Sequence, residues 1–215
     1  MTDDLDGWIA WGAAGHAKVL RDALAGLPLV AVFDNADVPP PFADVPLHRG
    51  RDGFARWRAA TRGRFGFAIA IGGARGADRC ELHRWLASEG LVPVTAIHRA
   101  AFVAPSARVG AGGHVLAHAA VCVDATLGIE CIVNTGATID HECVLGDGVH
   151  VAPGAHVAGC VTIGEHAFVG TGASVIPRAT IGARAIVGAG AVVIADVAPD
   201  TTVVGNPARI VEKQP

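Results

Sequence analysis

Ten histidines are the residues of this chain best suited to proton chemistry near neutral pH, and seven of them lie from His98 onward. Imidazole has a reference pKa of about 6.5, so a neutral histidine can accept a proton at working pH. His141 is followed directly by an acid, Glu142, which can orient its ring or favour the protonated form. Three convergent histidines can instead hold a catalytic zinc ion. The histidines therefore predict either a general base or a metal site.

A glycine turn near the N-terminus, Gly12 to His16, offers a second kind of site. Gly12 and Gly15 fit the last two glycines of the dinucleotide fingerprint G-x-G-x-x-G, but Ala10 replaces the first. Asp34 lies nineteen residues after Gly15, about where a ribose-binding acid follows that fingerprint. A purely structural turn between a strand and a helix explains the glycines equally well. The sequence leaves a nucleotide site and a structural turn both open.

The elements that must position these residues differ between the two halves of the chain. In the second half every sixth residue is aliphatic, and a small side chain, usually Ala, recurs two residues earlier. The repeated positions are Ile97, Val103, Val109, Val115, Val121, Leu127, Val133, Ile139, Leu145, Val151, Val157, Ile163, Val169, Val175, Ile181, Val187 and Val193. An α-helix, with about 3.6 residues per turn, cannot produce a sustained period of six.

A second repeat, of eighteen residues, accompanies the first. Gly110, Gly128, Gly146, Gly164 and Gly182 each follow an aliphatic position. Six residues per face and eighteen per coil describe a triangular prism with inward-pointing aliphatic side chains. Glycine then relieves a tight corner, either through positive φ or through close backbone approach. The pattern predicts a left-handed parallel β-helix of roughly five to six coils.

The residues before the repeat alternate between apolar and helical segments. We predict strands at Gly7–Trp11, Leu29–Asn35 and Phe65–Gly73 and helices at Ala17–Ala25 and Ala77–Gly90, after which Leu91–Ile97 leads into the repeat. This alternation predicts a small Rossmann-like parallel α/β sheet. We therefore expect a small α/β domain at residues 1–96, followed by the β-helix and a C-terminal tail at residues 97–215.

Ligands of open parallel sheets bind at the carboxyl ends of the strands. Three segments lie there: the Gly12–His16 turn, the Asp34–Asn35 pair, and Gly72 and Gly73 at the end of the third predicted strand. A diphosphate can rest on the glycine turn and on the N-terminus of the helix that follows it. These segments are the candidate nucleotide site.

Composition excludes several classes of function. A net charge of −3 and a pI of about 6.3 leave no basic stripe for nucleic acid. The sequence has no apolar run long enough for a transmembrane helix and no signal-peptide pattern, so we expect a cytoplasmic protein without a membrane partner. Five cysteines without a C-x-x-C pair predict reduced, buried thiols.

The most distinctive segment of the chain runs from Asn134 to Gly159, with the sequence NTGATIDHECVLGDGVHVAPGAHVAG. The tail contains the sequence VVGNPARIV. Together with the glycine turn, these segments resemble the bacterial sugar N-acyltransferases of the PglD and NeuD type, over nearly the whole chain. Overall likeness places it near the GDP-perosamine N-acetyltransferases. The resemblance implies an acetyl-CoA-dependent enzyme that acetylates a nucleotide-linked 4-amino-4,6-dideoxy sugar. It also implies a homotrimer with active sites at subunit interfaces and no catalytic metal.

The resemblance implies roles for individual residues. His141 matches the general base and Glu142 the acid that follows it. His150 matches a histidine near the acetyl-CoA thioester, and the backbone N–H of Gly159 matches a donor to its carbonyl oxygen. Arg209, in the tail, is a candidate for the CoA phosphates. The residues expected near the sugar nucleotide are Gly12, Gly15, His16, Asp34, Asn35, Gly72, Gly73 and Asn134.

Three rival functions remain open at this stage. An O-acetyltransferase acting on a sialic acid or another sugar hydroxyl would use the same repeat and the same histidine. A non-catalytic sugar-nucleotide sensor would bind ligand without turnover. A zinc enzyme similar to the γ-class carbonic anhydrases would need a different histidine pattern and no nucleotide-binding domain.

Overall fold

The computed structural model of the protein describes residues 4–211. It begins with a five-stranded parallel sheet in the order β3-β2-β1-β4-β5. Its strands are β1 (Gly7–Trp11), β2 (Leu29–Asp34), β3 (Leu47–Arg49), β4 (Phe65–Ile69) and β5 (Val92–Pro93). Three helices connect them: α1 (Gly15–Ala23), α2 (Gly50–Ala60) and α3 (Gly76–Ser88). The predicted Rossmann-like sheet is confirmed.

The two central strands are buried on both faces, as near-continuous apolar runs in parallel sheets usually are. In β1, Trp8 and Ala10 pack on one side of the sheet, whereas Ile9 and Trp11 pack on the other. The indole of Trp11 stacks on Phe33, with ring centroids 5.4 Å apart. Alternation along one strand thus feeds two separate apolar cores.

The rest of the chain is the predicted left-handed parallel β-helix, built from three sheets. We call the sheet that packs on the N-terminal part the docked face. Its strands are β6 (Ala96–Ile97), β9 (His114–Val115), β12 (Ile132–Val133), β15 (His150–Val151), β18 (Phe168–Val169), β21 (Ile186–Val187), β23 (Thr202–Val204) and β24 (Arg209–Ile210). Only the final pair, β23 and β24, is antiparallel among the described strands.

The chain then passes to the second face and from there to the third. The second face holds β7 (Phe102–Val103), β10 (Ala120–Val121), β13 (Thr138–Ile139), β16 (His156–Val157), β19 (Ser174–Val175) and β22 (Val192–Val193). The third face holds β8 (Arg108–Val109), β11 (Thr126–Leu127), β14 (Val144–Leu145), β17 (Thr162–Ile163) and β20 (Thr180–Ile181). On these two faces each strand pairs with the strand eighteen residues away, as Thr138 does with His156.

The aliphatic repeat forms the core of the prism, with a correction at its first coil. From Val115 to Val193 every repeated position is buried. Ile97, however, is 46% exposed, and Val103 and Val109 are only partly buried. The first coil has a neighbouring coil on one side only, so its inward side chains stay open to solvent.

The five glycines of the eighteen-residue repeat act by close approach, whereas other corner glycines, such as Gly148 and Gly154, adopt positive φ. A Cβ on Gly110 would lie 2.4 Å from the carbonyl carbon of Gly128, one coil further on. None of the five glycines of the eighteen-residue repeat has positive φ. Several corners place a non-glycine residue in the left-handed region, including Glu142 at φ 57° and Cys160 at φ 59°.

The N-terminal sheet and the β-helix share an apolar core across the docked face. Leu116 and Ile132, from the β-helix, pack with Val94 and Ala96. The first residue of α3, Gly76, touches the corner before the docked face, where a Cβ would lie 2.3 Å from the carbonyl oxygen of Gly148. The division of the chain into domains at residues 96 and 97 stays a prediction.

The sequence did not predict β3 or α2, which lie between β2 and β4 in the chain. The predicted helix at Ala17–Ala25 begins and ends two residues earlier, and the helix at Ala77–Gly90 is observed as Gly76–Ser88. No helix within residues 4–211 is both long and apolar enough to cross a membrane.

Candidate active site

His141 and Glu142 form a hydrogen-bonded pair at the corner between the second and third faces. Nδ1 of His141 lies 3.0 Å from Oε2 of Glu142. Adjacent side chains on a strand point in opposite directions, so the pair requires turn geometry. The positive φ of Glu142, 57°, supplies that turn. Both side chains are exposed, and the pair leaves Nε2 of the imidazole free to accept a proton.

Gly159 lies one coil beyond His141 and makes room for its ring. A Cβ on Gly159 would lie 2.4 Å from Nε2 and 2.5 Å from Cε1 of His141. The carbonyl oxygen of His141 accepts a hydrogen bond from the N–H of Cys160 (2.9 Å). The absence of a side chain at Gly159 therefore leaves the space that Nε2 of His141 occupies.

A groove of about 480 Å³ runs along the second face beside this corner. Small and polar side chains line it: Ala120, Cys122, Thr138, Asp140, His156, Ala158 and Ser174, with Val157 and Val175. Two of these residues contact each other, with Oγ1 of Thr138 3.0 Å from Nδ1 of His156. The groove can accept a slender, flexible chain beside Asp140, the residue before His141.

A second group of polar residues lies where the docked face meets the N-terminal sheet. Nε2 of His16 lies 3.2 Å from Nδ1 of His114. Nε2 of His150 lies 3.2 Å from Nδ2 of Asn134, and Nδ1 of His150 lies 3.3 Å from the carbonyl oxygen of Gly73. These contacts join two of the sequence-predicted substrate residues, Asn134 and Gly73, to His150, and a third, His16, to His114.

These histidines are neutral at physiological pH. Burial lowers the pKa of His16 to about 4 and that of His150 to about 3, and the positive charge of Arg79 lowers both further. Burial also holds the pKa of His114 well below its usual value, with smaller contributions from His16 and Arg79. The histidines of the docked face thus act as neutral hydrogen-bonding groups.

A buried ion network fastens the loop after β4 to the β-helix. Arg79 is fully buried and donates to the carbonyl oxygens of Ile71 (3.2 Å), Glu130 (3.2 Å) and Gly148 (2.6 Å). The carboxylate of Glu130 lies 2.8 Å from Nδ1 of His83. Burial raises the pKa of Glu130 to about 7, although His83 and Arg79 oppose the shift.

A cavity of about 390 Å³ opens at the carboxyl ends of β1, β2 and β4, where the sequence predicted the nucleotide site. Its lining includes the predicted residues Gly12, Asp34, Asn35 and Gly72, together with Trp11, Ala13, Ala14, Ala36, Ala70, Ile71 and Arg75. Gly12 is required by its contact with the adjoining strand, because a Cβ there would lie 2.5 Å from the carbonyl oxygen of Ala70.

Asp34 shapes the turns around this cavity. Its two carboxylate oxygens accept hydrogen bonds from the N–H groups of Ala13 (2.8 Å) and Ala36 (2.9 Å). The contact of Asp34 with a ribose stays a prediction.

Two other predicted site residues lie elsewhere. Gly15 is the first residue of α1, and Arg209 lies exposed on β24, where it donates to the carbonyl oxygen of Ala208 (2.9 Å).

The two groups lie on opposite sides of the prism. His16, His150 and the cavity adjoin the docked face, whereas His141 occupies the corner between the other two faces. In a triangular cross-section, that corner is opposite the docked face. One chain alone therefore does not bring His141 to its own cavity.

Four residues of these sites were missed by sequence reasoning: His114, Arg75, Arg79 and Cys160. The eighteen-residue period contains a signal for two of them. It stacks Cys160 on Glu142, and it places His114 two coils before His150 on one face. Arg75 and Arg79 follow β4 in chain order, and only the packing of α3 reveals their contacts.

Comparison with known proteins agrees with this architecture. The family model for the bacterial transferase hexapeptide (six repeats) matches residues 160–195. The chain is 37% identical to PerB from Caulobacter crescentus, solved in complex with CoA and GDP-perosamine, with a TM-score of 0.87 over 96% of this chain and 97% of that chain. That enzyme has also been solved with the same ligands after one histidine was replaced by asparagine or alanine.

A second structural relative is the acetyltransferase domain of PglB from Neisseria gonorrhoeae in complex with acetyl coenzyme A. Its identity is 32% and its TM-score 0.85, over 96% of this chain and all of that one (100%). WeeI from Acinetobacter baumannii is 27% identical, with a TM-score of 0.85 over 95% of this chain and 99% of that one. The chain therefore belongs to the acetyl-CoA-dependent sugar N-acetyltransferases of the hexapeptide-repeat type.

Proposed function

We propose that this enzyme transfers the acetyl group of acetyl-CoA to the 4-amino group of a nucleotide-linked 4-amino-4,6-dideoxy sugar, with GDP-perosamine as the favoured substrate. The observation that carries the proposal is the His141–Glu142 pair, which leaves one imidazole nitrogen free at an exposed corner. The likeness to PerB, 37% identical and bound to GDP-perosamine, supports the choice of sugar nucleotide.

In the proposed reaction the sugar amine attacks the thioester carbonyl carbon directly. Nε2 of His141 accepts the proton of the amine as the C–N bond forms, and Glu142 stabilises the resulting imidazolium. The tetrahedral intermediate then collapses, the C–S bond breaks, and the proton on His141 passes to the CoA thiolate. A general base of this kind contributes about 10² to 10⁴-fold to the rate.

Developing charge on the thioester oxygen needs a fixed hydrogen-bond donor. The backbone N–H of Gly159 is the proposed donor, because Gly159 lies against the imidazole of His141. His150, neutral and held by Asn134 and Gly73, is proposed to lie near the thioester on the other side of the reacting atoms. The groove on the second face is the proposed place for the pantetheine arm.

We propose that three copies form the enzyme and that each active site combines two of them. The base of one chain and the nucleotide cavity of the same chain lie on opposite sides of the prism, so a neighbouring copy must supply one of the two. Val123, Ile176 and Ile194 are exposed apolar residues on the same corner as His141, with exposures of 53, 39 and 48%. A cyclic trimer would bury this apolar corner against the next copy.

The nucleotide is proposed to occupy the cavity at the end of the N-terminal sheet. Its diphosphate would face the glycine turn and the N-terminus of α1, which begins at Gly15. Arg75, at the edge of the cavity, adds a positive charge for the phosphates. Arg209 is the proposed partner of the CoA phosphates. We also propose a cytoplasmic location, where acetyl-CoA is available to the enzyme.

An O-acetyltransferase is the second candidate function, because His141 would serve a sugar hydroxyl as well as an amine. A sensor without turnover would not need the free nitrogen of His141 or the room that Gly159 leaves for it. The proposed reaction uses no metal ion, in contrast to the carbonic anhydrase hypothesis.

The test is turnover of acetyl-CoA with a panel of GDP- and UDP-linked amino sugars. We expect one 4-amino sugar to react, His141→Ala to lower kcat at least about a hundredfold, and Glu142→Gln to lower it about tenfold. His118→Ala is the control, because His118 is an exposed histidine on another corner of the β-helix. Turnover with hydroxyl acceptors alone would favour the O-acetyltransferase, and equal activity of His141→Ala and His118→Ala would overturn the proposed mechanism.

A further inference from the structure

The His141–Glu142 pair has a third neighbour that the proposed reaction does not use. Cys160 lies one coil beyond Glu142, and its Sγ is 3.7 Å from Oε2 of Glu142. One ligand atom from each of His141, Glu142 and Cys160 lies within 4.8 Å of the other two. An imidazole, a carboxylate and a thiol are thus gathered at one corner of the β-helix.

We propose that His141, Glu142 and Cys160 form an inhibitory site for a divalent transition-metal ion such as zinc. Zinc binds nitrogen, oxygen and sulfur ligands tetrahedrally with bonds of about 2.0 to 2.3 Å, which places neighbouring ligand atoms about 3.5 Å apart. The observed separations, 3.0 Å from Nδ1 to Oε2 and 3.7 Å from Oε2 to Sγ, bracket that spacing. Three protein ligands leave a fourth position for water.

The backbone holds the three ligands on the same side of the corner. Glu142 and Cys160 occupy equivalent positions of successive coils, with φ of 57° and 59°, so their side chains leave the corner in parallel. The N–H of Cys160 donates to the carbonyl oxygen of His141 (2.9 Å), which locks the two coils together. In the single chain both members of the pair are exposed and Cys160 is half-buried.

The ligand types select the class of metal. A thiolate with an imidazole favours zinc and similar soft or borderline ions over magnesium and calcium, which prefer oxygen. We predicted buried thiols for all five cysteines, but Cys122 and Cys160 are only half-buried. Cys122 lies near Asp140, one of the residues that line the same groove, and among residues 4–211 it belongs to no group of potential metal ligands.

Metal binding would remove the proposed base. The ion loses coordinated water, the Cys160 thiol gives its proton to solvent, and bonds form from the ion to Sγ, to a carboxylate oxygen and to Nδ1. The proton on Nδ1 moves to Nε2 by exchange with solvent, so the metal-bound imidazole has no free lone pair for the sugar amine. This consequence rests on the proposed function, whereas the site itself does not.

Binding is tested without substrates, by titrating the purified chain with Co²⁺ and recording the cobalt–thiolate absorption band in the near ultraviolet. We expect the band in the wild-type chain and in Cys122→Ser, and its loss in Cys160→Ser. Cys122→Ser is the matched control, because it removes the other half-buried cysteine. A band of equal strength in Cys160→Ser, or no band in the wild-type chain, would refute the site.

Inhibition is tested by adding Zn²⁺ to the sugar acetylation assay and measuring the acetylated sugar itself, since the released CoA thiol also binds zinc. Inhibition of each variant is expressed relative to the rate of that same variant without metal. With zinc, Cys160→Ser should need at least about tenfold more metal for half-inhibition, because one of three ligands is lost. Equal sensitivity would contradict the proposal. A Cys160-dependent cobalt band in a chain that acetylates no sugar would support the site and refute the proposed function instead.

Discussion

The free nitrogen of His141 faces a glycine because the two residues are separated by one full coil. Stacked positions of a β-helix come within backbone contact, so the side chain at one position limits the space at the next. At Gly159 that limit is severe, with only 2.4 Å between an added Cβ and Nε2 of His141. Glu142 fixes the opposite edge of the same ring through Nδ1. Two neighbours thus determine the position of the imidazole.

Gly159→Ala is expected to lower kcat for sugar acetylation about a hundredfold while leaving the thermal unfolding midpoint within a few degrees of the wild type. The added methyl group would push an exposed ring aside, and a displacement of about 1 Å at a reacting group can cost that much. Steady-state kinetics and thermal unfolding measure the two effects.

The control for this variant is Gly26→Ala, because Gly26 is exposed and an added Cβ there meets no atom within 4 Å. It should retain wild-type kcat. Wild-type kcat in Gly159→Ala would show that the space at Gly159 does not position the base.

The sequence could predict the identity of these residues better than their contacts. The segment around His141 named the pair and Gly159, but as members of a family pattern. That Gly159 packs against the ring of His141, and Cys160 beside Glu142, follows from the eighteen-residue period only after the corner geometry is known. Their positions depend on φ at Glu142 and Cys160, which local sequence does not specify for non-glycine residues.

At the scale of elements, α3 connects the sheet to the prism. Its first residue, Gly76, touches the carbonyl oxygen of Gly148, and Arg79, one turn later, donates to the same oxygen. The loop from Ile71 to Gly73 is held by the same arginine and contacts His150. The close approach at Gly76 therefore positions one side of the proposed substrate site.

Gly76→Ala is expected to destabilise the protein by about 1 to 3 kcal/mol, because the added methyl group would force α3 away from the backbone at Gly148. Urea unfolding measures the change in the free energy of unfolding. Ala77→Ser, at the adjacent exposed position of α3, should change that free energy by less than about 0.5 kcal/mol. Equal stability of the two variants would contradict the tight contact.

Sequence patterns predicted the strands of the sheet well, because β1, β2 and β4 are buried apolar runs. They did not predict α2, whose sequence GRDGFARWRAA contains two glycines and whose N-cap makes no side-chain hydrogen bond. This helix is stabilised by packing of Phe54 and Trp57 against Phe33 rather than by local propensity.

For the whole molecule, buried titratable groups at the docked face couple stability to pH. The pKa values of His16 and His150 are lowered to about 4 and about 3, and that of His114 is also far below 6.5. Between about pH 6.5 and pH 4 these histidines bind protons in the unfolded chain but stay neutral in the folded one. The free energy of unfolding therefore falls as the pH decreases. Glu130 acts oppositely, because its pKa is raised from 4.5 to about 7.

We therefore expect the free energy of unfolding to fall as the pH decreases from 7 to 5. Three histidines against one carboxyl group leave a net difference of about two protons, or at most ~2.7 kcal/mol per pH unit. Denaturant unfolding at fixed protein concentration measures the slope. Glu130→Gln should make it steeper, and stability that is flat or rising from pH 7 to pH 5 would show that the histidines are not buried as described.

The arrangement of the two halves on the prism could not be predicted from the sequence. The period predicted the coils, but it does not specify which face packs on the N-terminal sheet. That choice depends on Leu116 and Ile132, outward-facing apolar residues on the docked face that resemble ordinary strand residues in the sequence. The opposite placement of His141 and the cavity follows only from this packing.

The stacking of His141 on Gly159 also restricts how the gene can change in length. Each hexad carries the chain around one third of the prism, so inserting or deleting six residues between these two would move Gly159 to another corner. Only a change of eighteen residues, one whole coil, restores each later residue to its original face. Even that change would insert a new coil between His141 and Gly159 if it fell within this segment. Insertions and deletions compatible with activity should therefore come in whole coils and fall outside residues 141–160.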